Sequence, residues 1–259
     1  MYQTCPKCGY RRQPMDSAPV DQCPACGLLF EQWLRQRFRK ARPDINRAPV
    51  ARLAPVRRAH FATLLLDYPK PQDRLVLAGR FLLLILLALW GTRFIAMDHR
   101  VLEGGLPPIN YSFLHGVNLV FHEAGHVLFR PLGRFMTVLG GSLGQLLMPA
   151  VVIGAFLRQS DPFGAAVGLW WLGQSLMDLA PYIYDARRGE MLLLGGVTGR
   201  DRPGYHDWEN ILAALGLLRW DHTLAGAVEG AGTLLVIAAI GWGGYVLWRN
   251  GPGAPRIGL

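Results

Sequence analysis

From residue 75 onward the chain is a succession of apolar stretches, and this constrains its fold more than any other feature. Leu75–Met97 is apolar apart from Arg80 and Arg93 near its ends, and at 1.5 Å per residue about 20 residues cross a bilayer core. Similar stretches follow at Tyr111–Arg130, Phe135–Leu157, Phe163–Tyr182 and Ala225–Trp248. Residues 191–219 offer only two short apolar pieces, Met191–Val197 and Ile211–Leu218, around a polar loop. A buried core helix would explain any one stretch. Five of them within residues 75–250 predict an all-α multi-pass membrane protein of about five to six transmembrane helices. Charged residues make up only 17% of the chain, against about 25% in soluble domains, which argues against a disordered or highly solvated protein.

The net charge of +9 is unevenly placed. Residues 1–74 hold 14 Lys/Arg against 6 Asp/Glu, a net +8, and the rest of the chain holds 13 against 12. A basic polar head therefore precedes a nearly neutral apolar body. The expected divisions are a zinc ribbon over 1–30, a basic helix and tether over 31–74, a transmembrane domain over 75–250 and a tail over 251–259.

All four cysteines lie in the head, as Cys5-Pro-Lys-Cys8-Gly and Cys23-Pro-Ala-Cys26-Gly. Each such knuckle turns two thiolates toward one metal, and two knuckles complete a tetrahedral four-cysteine zinc site. Two disulfides are the alternative, but no signal-peptide pattern precedes the first knuckle, so the expectation is reduced thiols, structural zinc and a cytosolic amino terminus. A ribbon this small buries little core, so the metal should supply most of its folding free energy.

Residues 28–40 set Leu29, Trp33 and Phe38 among Arg35, Arg37, Arg39 and Lys40, the pattern of a short basic amphipathic helix. An anionic membrane surface, a nucleic acid or plain solvent would each suit its charged face. Five prolines between Ala41 and Pro71 preclude a long helix there.

Basic residues concentrate on the cytosolic side of short loops. With the head inside, the first span exits, Tyr111–Arg130 re-enters to end at Arg130 and Arg134, the third exits, and Phe163–Tyr182 re-enters to meet Arg187 and Arg188. Arg158, in a loop placed outside, departs from this pattern.

The second stretch contains His122-Glu123-Ala124-Gly125-His126, an HExxH motif. On a helix, histidines four apart lie one turn above each other and can share a zinc ion, with the glutamate placed to take a proton from water. His115 and Asn118 extend the same polar face. Ionisable groups inside a span are costly and normally face a polar interior or a site, so a catalytic zinc is expected, with a polar stripe bonding to neighbouring spans as the alternative. Such a zinc usually has three protein ligands. Asp178 is one candidate: counting inward from the outer ends of their spans puts it at about the depth of His122 and His126. Pro181 is expected to break that helix, letting Tyr182–Asp185 fold back toward the metal. His206 and Asp207 are further candidates, although Asp207 also reads as a helix N-cap.

HExxH in an apolar span, followed by Asp178-Leu179-Ala180-Pro181 and then Asp185, resembles the site-2 protease family of intramembrane zinc metalloproteases. There the later motif is commonly Asn-Leu-x-Pro followed by Leu-Asp-Gly. The resemblance covers roughly residues 111–190 and implies His122 and His126 as ligands, Glu123 as catalytic base and Asp185 as third ligand, with Asp178 in a supporting polar role. Asp178 stands where the family has Asn, Ala186 replaces Gly, and the spacing is compressed. The implied activity is cleavage of a membrane protein or peptide within the lipid bilayer. A non-proteolytic metal-binding membrane protein and a membrane-anchored zinc-ribbon interaction module, the latter with nucleic acid as a conceivable partner, are the other readings.

Overall fold

A computed structural model describes residues 3–41, 61–68, 72–97 and 105–251. Most of the Pro/Arg-rich tether, residues 42–60 and 69–71, and the tail beyond residue 251 lie outside the described residues. The chain divides into two units, Met1–Arg58 and Ala59–Leu259.

In the first unit the two knuckles are built alike. Gly9 N–H donates to Cys5 C=O (3.0 Å) and Cys5 N–H to Tyr10 C=O (2.8 Å); Gly27 to Cys23 (2.9 Å) and Cys23 to Leu28 (2.9 Å) repeat the pattern. Both turns close through a left-handed backbone, φ +74° at Gly9 and +68° at Gly27, which a side chain would strain. Isolated bridges join Thr4 to Arg11 and Gln22 to Leu29, and no longer strand forms among the described residues. Helix α1 (Phe30–Ala41) follows directly, its Phe30 packed on Cys5 and Cys23.

The second unit is all-helical among the described residues: α2 (Phe61–Leu66), α3 (Arg74–Ile95), α4 (Phe113–Phe129), α5 (Arg134–Arg158), α6 (Pro162–Tyr184), α7 (Asp207–Ala214) and α8 (Asp221–Arg249). Side chains of Asp73, Ser112 and Asp161 cap α3, α4 and α6 by accepting N–H groups of their first turns. Among the described residues, three helical segments are long and apolar enough to cross a membrane: Arg74–Ile95, Arg134–Arg158 and Leu218–Arg249. Large apolar side chains such as Phe81, Leu82 and Leu89 on α3 and Leu234 on α8 remain exposed, as expected of a lipid-facing surface.

Helix α6 is the hub, buried along most of its length. Lipid is as apolar as leucine, so helices in a bilayer associate mainly by close packing at small residues. A Cβ on Gly173 of α6 would lie 2.7 Å from Gly232 O of α8, and one on Gly232 would lie 2.6 Å from Gly173 O. Gly125 of α4 meets the Gly140 carbonyl of α5 in the same manner. Trp170 of α6 joins Trp90 and Phe94 of α3 in a ring cluster and donates its indole N–H to Leu87 O (3.0 Å).

The expected break at Pro181 does not occur. Helix α6 runs through it to Tyr184 and ends with Asp185 N–H donating to Pro181 O (3.0 Å). A proline removes one intrahelical hydrogen bond, and the packing of α6 on its neighbours holds the remaining turn.

Candidate metal centre

The second unit gathers its polar residues on the inner side of α4. His122, His126 and Asp207 each offer a ligand atom, all within 4.8 Å of one another. Asp207 Oδ2 lies 3.0 Å from His122 Nε2 and 3.2 Å from His126 Nε2. Tetrahedral zinc with bonds of 2.0–2.1 Å separates its ligand atoms by about 3.3 Å, close to both distances. The far nitrogens of the two rings are held by the protein: His122 Nδ1 is 3.3 Å from Gln145 Oε1 and His126 Nδ1 is 2.8 Å from Thr137 O. Since both of these partners are acceptors, each ring carries its proton on Nδ1 and turns its Nε2 lone pair toward Asp207, the outer-sphere arrangement of metal-ligating histidine.

Space for the rings comes from Gly141 of α5. A Cβ there would lie 2.5 Å from His122 Nε2 and 2.6 Å from His126 Nε2. The run Gly140-Gly141-Ser142-Leu143-Gly144 therefore serves helix contact and access to the imidazoles.

Asp178 stands behind this cluster. Its Oδ2 accepts from Asn118 Nδ2 (3.0 Å) and Gln145 Nε2 (3.2 Å), and its Oδ1 lies 2.9 Å from His115 Nδ1. With these partners it fixes the Gln145 amide that orients His122. Asp185, expected as third ligand, is not in the metal-holding group: its carboxylate accepts the backbone N–H groups of Glu190 (3.0 Å) and Met191 (2.8 Å). The helix continuing through Pro181 leaves Asp185 to pin the loop that follows.

His206 and Asp207 exchange the expected roles. His206 is the N-cap of α7, its Nδ1 accepting from Glu209 N–H (3.2 Å), and its Nε2 lies 3.4 Å from Asp185 Oδ2. Asp207 is the first residue of the helix and points at the histidines. Tyr182, its ring tilted against that of His206 at 4.4 Å, accepts the Asp207 backbone N–H at 2.8 Å and so has its hydroxyl proton left to donate.

The cluster opens on a cavity of ≈ 490 Å³. Glu123, Tyr182 and His115 line it beside apolar groups including Leu119, Leu179 and Leu193. Glu123 is exposed to it.

No protein-family model, curated protein or solved structure matches this chain. The chemistry of the site is therefore read from its own geometry.

The cysteines of the head form a second group that could hold a metal ion. Cys5 and Cys26 sulfurs are 3.7 Å apart, as are those of Cys8 and Cys23. A disulfide would need about 2.05 Å, whereas thiolates bound to zinc at 2.3 Å stand about 3.75 Å apart. Desolvation raises Cys5, but the backbone N–H groups of Cys8 and Lys7 outweigh it and bring the thiol down to about 6. At Cys8 the Tyr10 N–H lowers the pKa, yet desolvation and the neighbouring sulfurs push it up to about 12. One thiolate forms readily and the next needs a cation, so the residues fit zinc.

Proposed function

We propose that the chain is an intramembrane zinc-dependent endopeptidase of the site-2 protease type, acting on membrane-embedded or membrane-associated polypeptides. The observation that carries this reading is the convergence of His122 Nε2, His126 Nε2 and the Asp207 carboxylate beside the cavity that Glu123 lines. Zinc held by His122, His126 and Asp207 would supply Lewis acidity toward the scissile carbonyl and toward water. Glu123 takes the proton of the attacking water and passes it to the leaving amine. Gln145 and Thr137 hold the imidazoles in the metal-binding tautomer, and the Tyr182 hydroxyl donates to the carbonyl oxygen as it gains charge. The apolar lining receives substrate side chains after a substrate helix has unwound locally, since its backbone groups are otherwise paired.

In this reading the long helices span the bilayer in several passes with the amino terminus cytosolic, and the head is a zinc ribbon that positions substrate. The third ligand comes from α7, a departure from the motif after Pro181 that the resemblance implied.

The test is zinc content together with cleavage of a single-span membrane substrate. Glu123→Gln should keep two zinc ions per chain and lose cleavage. Asp207→Ala should lose one zinc, and Asp185→Ala should keep both. Cleavage persisting in Glu123→Gln would overturn the protease, and zinc retained with a function indifferent to Glu123 would favour a metal-holding role.

A further inference from the structure

His115 lines the cavity from α4, seven residues before His122, and no step of the proposed hydrolysis uses it. Its Nδ1 lies 2.9 Å from Asp178 Oδ1, and the surrounding donors fix which of the two holds the proton. Trp171 Nε1–H, which can only donate, gives its hydrogen to Asn118 Oδ1 (2.9 Å), so Asn118 Nδ2–H is turned to Asp178 Oδ2 (3.0 Å). Gln145 Nε2–H is fixed in the same way by the Ser175 carbonyl (3.2 Å) and also donates to Oδ2 (3.2 Å). A carboxylate accepting twice on one oxygen accepts again on the other, so His115 carries its proton on Nδ1 and leaves Nε2 as a lone pair. The Asp178 side chain is shut in at 2% exposure, while that of His115 is 23% exposed. With Nδ1 facing inward, the open edge of the ring is the one that bears Nε2. Among the described residues Nε2 has no hydrogen-bond partner, yet it is not one of the sealed polar atoms of the fold.

We infer that His115 is a specificity-determining residue whose Nε2 accepts a hydrogen bond from a donor side chain of the substrate, the hydroxyl of serine or threonine being the smallest, and that the same cavity rejects carboxylate side chains. The inference rests on the peptidase reading and adds to it which substrates are taken. Helix α4 is continuous from Phe113 to Phe129, so the Cα atoms of His115 and His122 stand about 10.5 Å apart along its axis. That is about three residues of extended chain, too far for His115 to touch the bond cut at the metal. It acts on binding and leaves bond breaking to Glu123. The charge of the walls decides which side chains are refused. Glu123, Asp178 and Asp207 line the cavity, and among the described residues no lysine or arginine does. Even a divalent cation at the histidines leaves that sum negative, so a substrate carboxylate is repelled, whereas a donor finds the unpaired Nε2.

The experiment uses full-length, zinc-loaded protein in detergent with Glu123→Gln, so that peptide is bound and not cut. The probes are blocked hexa-alanine and its analogues in which one residue at a time is serine, O-methylserine or aspartate. Serine at one position should bind about fivefold more tightly than alanine, the worth of one net hydrogen bond. O-Methylserine, which keeps the oxygen and loses the donor, should lose that gain, and aspartate should bind more weakly than alanine. His115→Asn places an amide N–H where Nδ1–H stood, which keeps the Asp178 contact, while its oxygen stops short of the place of Nε2. This variant should abolish the serine gain and leave zinc content and the affinity for hexa-alanine unchanged. His115→Phe, with no acceptor at all, should do the same, so the result does not hang on the folding of one variant. An equal serine gain with and without His115, a gain kept by O-methylserine, tighter binding of aspartate, or no binding of any peptide overturns the assignment. A His115-dependent serine gain in a protein whose wild type cleaves nothing would instead overturn the peptidase and leave the binding group standing.

Discussion

Gly141 carries no functional group, yet its lack of a side chain decides whether two imidazoles can turn their Nε2 atoms to one point. A Cβ there would sit 2.5–2.6 Å from both rings, and the rings are held from behind by Gln145 and Thr137. Gly141→Ala should therefore weaken metal at the histidines by at least about tenfold, the scale of disturbed outer-sphere contacts. Gly154→Ala, on the same helix with nothing within 4 Å, should leave it unchanged; zinc titration of the two variants checks this. The acidic ligand depends on equally local detail. The resemblance implied Asp185, but two backbone N–H groups of its own loop occupy it. Asp207 follows an irregular stretch with positive φ at Gly189, Gly195, Gly196 and Gly204, and neither helical nor strand periodicity predicts where such a stretch leads. HExxH was legible because its spacing is the helix repeat itself.

At the scale of elements, continuous apolar stretches located the long helices well. Phe135–Leu157 appears as Arg134–Arg158, and Phe163–Tyr182 as Pro162–Tyr184. Their surroundings were less legible. Helix α6 was expected as one span among five, but Gly164, Gly168, Gly173, Gln174 and Ser175 make it the packed centre rather than a lipid-facing helix, and α3, α5 and α8 lie against it. Small residues lower hydropathy and at the same time allow backbones to touch, so composition alone does not separate a poor span from a good hub. The α6–α8 contact is the mechanical test. Gly232→Ala should destabilise the body by about 1–3 kcal/mol, as overpacking does, because its Cβ meets the Gly173 carbonyl oxygen at 2.6 Å. Gly226→Ala and Gly230→Ala on the same helix meet nothing within 4 Å and should leave the thermal midpoint in detergent near that of the wild type.

Among the described residues, the two groups that could hold a metal ion belong to different units, one of sulfur and one of nitrogen and oxygen. Cys8→Ser should therefore cost one zinc and the ordered structure of residues 3–41 while His122→Ala costs the other, with zinc content and amide exchange of the head as readouts. Acid should also strip the head: with Cys5 lowered to about 6 from an ordinary 9, its thiolate is favoured by the folded head at neutral pH, and that advantage is lost as pH falls through about 6. The charge follows the same division: residues 1–58 hold 12 Lys/Arg against 4 Asp/Glu, and residues 59–259 hold 15 against 14.

His122 and Asp207 stand 85 residues apart in the chain yet meet at 3.0 Å. An ion bridging them would tie α4 to α7 across everything in between, including α5, α6 and the loop that Asp185 pins. By the chain-entropy account used for covalent cross-links, closing a ring of that length restricts the unfolded chain by about 4.6 kcal/mol. The ion would then be a clasp as well as a reagent, and a chelator would act on the durability of the body before any question of turnover arose.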